Sequence, residues 1–274
     1  MRHFLDRRAG FRALWAGGTF LLTVAVASSR ADLVLHWQFD ESTGTTAADS
    51  APTLGPQGGD NAGTLQDFPS PTDARWVTGK TGNALSFQGN GERVIDTFTS
   101  DYTPGDYTVA LWARTTDPNQ SQYNSVFATR PSGGGSDNTF QIDTDGSGYY
   151  RFFTNNSGGL MSELSFGPVA NDAWQHVAAT VEGRALTLYI DGLQTNSDTL
   201  ASGEAVDFEA FVAGANRNDS AFFQGTVDDV QFYDEALTAS QIAFLNDNPG
   251  QTIPEPTSFA LLVLAGGALL RRRR

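Results

Sequence analysis

The sequence predicts an all-β protein of the sandwich or barrel kind, with a leader at one end and a short apolar tail at the other. Three observations predict it. Short apolar or alternating runs recur through the body, divided by Gly, Asn, Asp, Ser and Pro clusters, as sandwiches and barrels require. One segment alone has helical character. The span from Asp32 to Ile253 is long enough to build one full β core without a second domain.

The strand series opens with Leu33 to Phe39. It continues through Ala84 to Phe87, Val94 to Phe98, Tyr107 to Arg114, Ser125 to Thr129 and Thr139 to Ile142. Tyr149 to Thr154, Leu160 to Phe166, Trp174 to Val181, Leu186 to Ile190, Phe208 to Gly214 and Phe222 to Tyr233 complete it. Leu186, Leu188 and Ile190 alternate with Thr187, Tyr189 and Asp191, so one face of that strand is core and the other half-wet. Glu182-Gly183 and Asp191-Gly192 bracket it as turn dipeptides and predict two successive hairpins. Thr238 and Gln241 form a capping box ahead of Ile242, Phe244 and Leu245, a helix of about two turns. Ala51 to Pro71 reads as a long Gly/Pro-rich loop, and no internal repeat is visible.

Composition narrows the function. The body from Asp32 to Ile253 holds eight of the 17 Lys and Arg but 29 of the 31 Asp and Glu, a balance of −21 against −14 for the whole chain. Such a body repels nucleic acid and anionic membranes and attracts divalent cations. With no cysteine, thiol chemistry and Cys-ligated zinc are excluded. Only His36 and His176 fall in the body, so imidazole-built zinc or copper sites are not expected; carboxylate-bound Ca2+ is the metal to consider.

The two ends read as addresses. Arg2, Arg7, Arg8 and Arg12 precede an apolar stretch from Ala13 to Ala27, and Ser29-Arg30-Ala31 supplies small residues for a signal peptidase. Residues 1–31 are therefore expected to be a secretory signal peptide. At the other end, residues 249–256 are a linker with Pro254-Glu255-Pro256, residues 257–270 carry no charge, and Arg271, Arg272, Arg273 and Arg274 close the chain. Fourteen helical residues cover roughly 21 Å against a hydrocarbon core of about 30 Å, which suits a transient membrane anchor better than a permanent span. Terminal arginines favour the cytoplasmic side, so the body is expected to face outward. This tail resembles the PEP-CTERM sorting signal. The resemblance implies an exosortase-type membrane peptidase as partner, removal of the tail, and delivery to the outer surface or extracellular matrix of a bacterium.

The body carries a second resemblance. His36-Trp37-Gln38-Phe39-Asp40-Glu41, Asp49-Ser50 and Asn61-Ala62-Gly63-Thr64-Leu65 stand near its start. Gly79-Lys80-Thr81-Gly82-Asn83-Ala84-Leu85-Ser86-Phe87, Tyr107 to Arg114 and Trp174-Gln175-His176-Val177-Ala178 follow. Leu188-Tyr189-Ile190-Asp191-Gly192 and Gly225-Thr226-Val227-Asp228-Asp229-Val230-Gln231-Phe232-Tyr233 end the set. In this order they resemble the landmarks of LamG-like domains of the concanavalin A-like superfamily, from about Leu33 to Leu245, within a domain bounded at 32–248. The resemblance implies an antiparallel two-sheet jelly-roll sandwich with its first and last strands adjacent. It also implies one structural Ca2+ at a rim, for which the matching positions are Asp40, Asp49, Asn61 and Asp228; as alternatives, Asp40 and Asp49 cap turns and Asp228 holds loop amides.

Candidate chemistry elsewhere is sparse. Asp143-Thr144-Asp145-Gly146 resembles a calcium loop but lacks the distal Glu and reads as a hairpin turn. A glycoside hydrolase of this fold needs two carboxyl groups about 5 to 10 Å apart in a cleft. Its usual Glu-x-Asp-x-x-Glu segment is missing; Glu204, Asp207 and Glu209 lie in a polar turn region, and His176 reads as a packing residue. A non-catalytic body that binds extracellular polysaccharide or matrix glycan is the expectation, with a purely structural protein and a polysaccharide-acting enzyme as alternatives. Sugars stack on exposed aromatics. Trp37, Trp112 and Trp174 sit in core-like positions, leaving Trp76, Tyr102, Tyr123, Tyr149 and Tyr150 as candidate contacts.

Overall fold

The computed structural model describes residues 32–52, 59–131, 138–155, 161–201 and 206–254. The expected leader and the sorting tail beyond Pro254 (Glu255, Pro256 and the four arginines included) lie outside the described residues. Among the described residues no helix is long and apolar enough to cross a membrane.

Two antiparallel sheets face each other. The first runs, in spatial order, β14 (Leu193–Thr199), β13 (Ala185–Ile190), β12 (Gln175–Glu182), β7 (Tyr107–Arg114), β16 (Gln224–Tyr233), β5 (Asn83–Gln88) and β4 (Trp76–Thr78). β1 (Leu33–Trp37) pairs with the second half of β16, so the first and last strands are neighbours as expected. The second sheet runs β11 (Met161–Pro168), β10 (Tyr149–Asn155), β9 (Thr139–Thr144), β8 (Ser125–Arg130), β15 (Phe208–Ala213), β6 (Arg93–Tyr102), β3 (Gly63–Gln66) and β2 (Thr46–Ala47). The long-loop expectation for Ala51 to Pro71 is corrected by β3, which pairs with β6 and buries Leu65.

The period-2 alternation sends one side chain in two into the space between the sheets. Phe140 stacks there at 5.0 Å from Tyr107 and 5.4 Å from Phe152. Phe211 and Phe232, at 5.0 Å, close the centre. Truncating a ring such as Phe140 to Ala leaves a cavity costing about 3–5 kcal/mol. A core of this aromatic content stabilises the domain without a disulfide. Trp37 belongs to it, fully buried, its Nε1 donating to the Asn61 carbonyl at 2.8 Å.

The capping box forms as read: α1 (Ala239–Asp247) starts at Thr238, whose hydroxyl accepts from Gln241 N while the Gln241 side chain accepts from Thr238 N. The helix lies on the outer face of the first sheet, burying Ile242 and Leu245 against Leu33, Ala110, Ala178 and Tyr233. Gly192, in the β13–β14 turn at φ 75°, lets it come close; a Cβ there would meet Asn246 Cβ at 3.0 Å.

β16 changes register between Asp228 and Gln231, and Asp229 at φ 51° is the extra residue of this β-bulge. The bulge divides the outer face of the first sheet. Beyond it, α1 and the following strap cover the sheet; before it, from Gln224 to Thr226, the face is uncovered by the helix.

Candidate functional site

The aromatic candidates separate by strand parity. Along β10, Tyr150 and Phe152 enter the core while Tyr149, Arg151 and Phe153 point to the outer face of the second sheet. Tyr149 is 44% exposed and Tyr123 36%, the two exposed large aromatics among the described residues. Tyr123, in the left-handed region at φ 71°, donates its N–H to the Thr144 carbonyl at 2.9 Å, which fixes its loop beside the β9–β10 hairpin. Its ring meets Phe153 edge-on at 5.8 Å.

Arg151 organises this face. Its Nε and Nη2 donate to the two carboxylate oxygens of Asp143, each at 2.9 Å, and its Nη1 donates to Glu163 Oε2 at 3.1 Å. The guanidinium lies 4.8 Å from the Tyr123 ring centre and 5.2 Å from that of Phe153, and Arg217 covers Phe153 at 4.4 Å. A planar bidentate arginine stacked on aromatics is held in one geometry, and at 4% exposure Arg151 braces the rings above it. Burial lifts the Asp143 carboxyl above the usual carboxylate range, against the pull of Arg151. Tyr123 thus stands over a sealed ion pair with the half-exposed Glu163 at its edge, and Tyr149, two residues before Arg151 on β10, is the second open ring of the same face. Sequence reading found the tyrosines but not Arg151; a cation two residues from an exposed tyrosine on one strand was the available signal.

Three aromatic candidates are corrected. Tyr150 is 1% exposed and packs in the core, where burial pushes its hydroxyl well above the usual phenol range. Trp76 is buried against Phe39. Tyr102 is half-buried, edge-on to Phe208 at 5.5 Å. Asp145 closes the β9–β10 hairpin by accepting from Ser147 N at 2.7 Å, as the turn reading required.

The four calcium candidates fall into two pairs, and among the described residues no three His, Cys, Asp or Glu side chains converge as a metal cluster. Asp49 accepts from His36 N at 2.8 Å, Ala51 N at 2.9 Å and Asn61 N at 3.2 Å, while the Asn61 amide donates to the Val34 carbonyl at 2.6 Å. These two are committed to main-chain groups and do not fit a cation. Asp40 accepts from Asn83 N at 2.8 Å; Asp228 accepts through Oδ2 from Lys80 N at 2.7 Å and Thr81 N at 3.1 Å. Asp228 Oδ1 is buried with no hydrogen-bond partner. Burial, with the Asp229 and Asp40 charges adding to it, pushes the Asp228 carboxyl up to about 7 despite the two amides. An orphaned, sealed carboxylate oxygen beside a second carboxylate fits an oxygen-seeking cation.

Asp229, one residue on, is the opposite case and was missed from sequence. Its Oδ1 meets His36 Nε2 at 2.7 Å and accepts from Gln231 Nε2 at 2.8 Å; its Oδ2 accepts from Gly250 N at 2.7 Å. These partners hold the carboxyl below the usual range although burial opposes them. Gln231 Nε2 also donates to the Gln251 carbonyl at 3.0 Å, and Ile253 N donates to the Tyr233 hydroxyl at 3.2 Å, so residues 248–253 form a strap on the sheet.

Of the acidic residues weighed for hydrolysis, Asp207 accepts from Thr103 Oγ1 at 3.2 Å, Glu209 is half-buried on β15, and Glu204 lies outside the described residues. His176 is 2% exposed, tilted on Trp112 at 5.2 Å, and burial lowers it to about 4.

Comparison with known proteins gives a consistent fold. Domain 4 of AbnA, a GH43 extracellular arabinanase from Geobacillus stearothermophilus solved with arabinotriose, is similar at a TM-score of 0.56 and 22% identity over 80% of this chain and 100% of that one. The binding domain of Paraclostridial Mosquitocidal Protein 1 gives 0.57 and 16% over 78% and 52%. The botulinum neurotoxin serotype D ligand binding domain, solved with N-acetylneuraminic acid, gives 0.54 and 12% over 76% and 51%. The chain thus spans about half the length of these toxin domains. No curated protein matches the sequence. The family model described as the concanavalin A-like lectin/glucanases superfamily, of laminin G type, matches residues 87–243. With that match over more than half its length, on two antiparallel sheets, the chain belongs to the concanavalin A-like lectin/glucanase superfamily.

Proposed function

We propose that this protein is a non-catalytic glycan-binding protein of a bacterial surface or extracellular matrix, and that it grips polysaccharide with the outer face of its second sheet. The observation that carries this reading is the platform of Tyr123 and Tyr149 around Arg151. Open aromatic faces stack on sugar rings, and the half-exposed Glu163 offers an acceptor to hydroxyls, while Arg151 holds the surface rigid from beneath. Two relatives in fold named as binding domains, one of them solved with N-acetylneuraminic acid, and an arabinanase domain solved with arabinotriose support it. Mapping a glycan array with wild type and a Tyr123→Ala/Tyr149→Ala variant tests it. Saturable binding lost in the variant supports the reading; equal binding by both overturns it, and absence of binding by either favours a purely structural matrix role.

Delivery follows from the two ends: a signal peptide over 1–31, then an exosortase-type peptidase acting at Pro254-Glu255-Pro256 after transient anchoring by residues 257–270 and Arg271 to Arg274. Mass spectrometry of surface material checks this; intact Arg274 would contradict it. Ca2+ is the proposed structural ion, held by Asp40, Asp228 and main-chain carbonyls of the neighbouring loops. It would neutralise the orphaned carboxylate and pin the 79–83 turn to the sheet.

A further inference from the structure

A cleft of about 470 Å³ lies on the opposite side of the sandwich, on the part of the first sheet that α1 leaves uncovered. Its lining comes from β4, β5, β16 and β7 together with Thr115, Thr116 and Asp172. Cross-strand register explains its chemistry. Gln224 pairs with Gln88, and Thr226 pairs with Ser86 on one side and Arg114 on the other. These positions alternate with Leu85, Phe87 and Val227, which face the core, so they point outward. Neighbouring strands stand about 4.8 Å apart, which sets hydroxyl, amide and guanidinium groups in closely spaced rows. Arg114 Nε and Nη2 both donate to Asp172 Oδ1, at 2.9 and 2.6 Å, and close one side without a net charge.

We infer that this cleft is a second saccharide site, selective for neutral sugars. Its volume lies in the range of small-ligand sites, and its outward groups both donate and accept, as a chain of sugar hydroxyls requires. An anionic sugar meets no cation here that lacks a carboxylate partner. The inference shares only the ligand class with the platform reading. Because the two sites face away from each other across the core, one chain would hold two glycan strands and cross-link them.

Amide NMR of the full chain tests this, with arabinotriose and maltotriose as neutral probes and N-acetylneuraminic acid as the charged control. The expected result is saturable shifts at Ser86, Gln224 and Thr226 with a neutral probe, lost in Gln224→Ala/Thr226→Val and retained in Tyr123→Ala/Tyr149→Ala. Among the described residues the Gln224 and Thr226 side chains hold no hydrogen bond, so an unchanged unfolding temperature serves as the control. Cleft amides unmoved by both neutral probes, or moved only by the acid, overturn the inference and leave the platform reading intact. Shifts at the cleft without any at Tyr123 or Tyr149 uphold it and overturn the platform reading alone.

Discussion

The outer face of the first sheet beyond its bulge and the outer face of the second sheet are built from similar residues and end differently. On the first, Tyr233 is 1% exposed, its hydroxyl bonded to Gln231, under a helix and a strap. On the second, Tyr123 and Tyr149 stay open around an arginine whose partners are already in place. A tyrosine with a covering element acts as core; one set on a satisfied charged network, and left uncovered, acts as a surface for something else. The account therefore assigns stability to the first face and binding to the second, and substitutions should separate the two.

The largest effect is expected at Asp229. Asp229→Ala leaves His36, Gln231 and Gly250 N without their buried acceptor, and breaking such a pair costs about 3–5 kcal/mol. Urea unfolding should show that loss, while glycan affinity of the folded fraction is unchanged; a shift in affinity would blur the comparison. Next is the pH response of His176, which burial lowers to about 4. Between pH 6.5 and 4 the unfolded chain takes up this proton before the folded one, so stability falls as pH drops through that window. The full effect is on the order of 3 kcal/mol. A His176→Gln variant should lack that component in denaturant titrations at stepped pH. A smaller effect is expected from calcium, which at 100 times its dissociation constant adds about 2.7 kcal/mol. Chelation should lower the unfolding temperature of wild type and leave Asp228→Asn unmoved; an unmoved wild type removes the ion from the account.

Much of the fold was legible because alternation and caps are local. Leu186, Leu188 and Ile190 gave β13, and Thr238 with Gln241 gave the helix. β14 was not legible: Leu193-Gln194-Thr195-Asn196-Ser197-Asp198-Thr199 is an edge strand with almost nothing to bury, so no hydrophobic pattern marks it. At the site, Tyr149 and Tyr150 show the limit. Adjacent residues of a strand point to opposite faces, and parity decides which is core only once the neighbouring strands are known. Asp228 and Asp229 are the same problem at a bulge. The spacing suggested one calcium constellation, whereas the turn geometry gives Asp49 to main-chain amides and Asn61 to the Val34 carbonyl, and leaves Asp228 Oδ1 unsatisfied.

The smallest effect on stability, and the decisive one for function, is expected at the open tyrosines. Tyr123→Ala/Tyr149→Ala should lower the unfolding free energy by about 1–2 kcal/mol, the worth of the Tyr123 contacts with Phe153 and Arg151. Removal of two aromatic anchors should weaken binding at least about tenfold. Calorimetric titration of wild type and this variant with a glycan that the array selects measures both sides of the comparison on one sample. The account predicts saturable binding by wild type, a loss of tenfold or more in the variant, and a variant that still unfolds cooperatively within about 2 kcal/mol of wild type; equal affinities for the two proteins would contradict it.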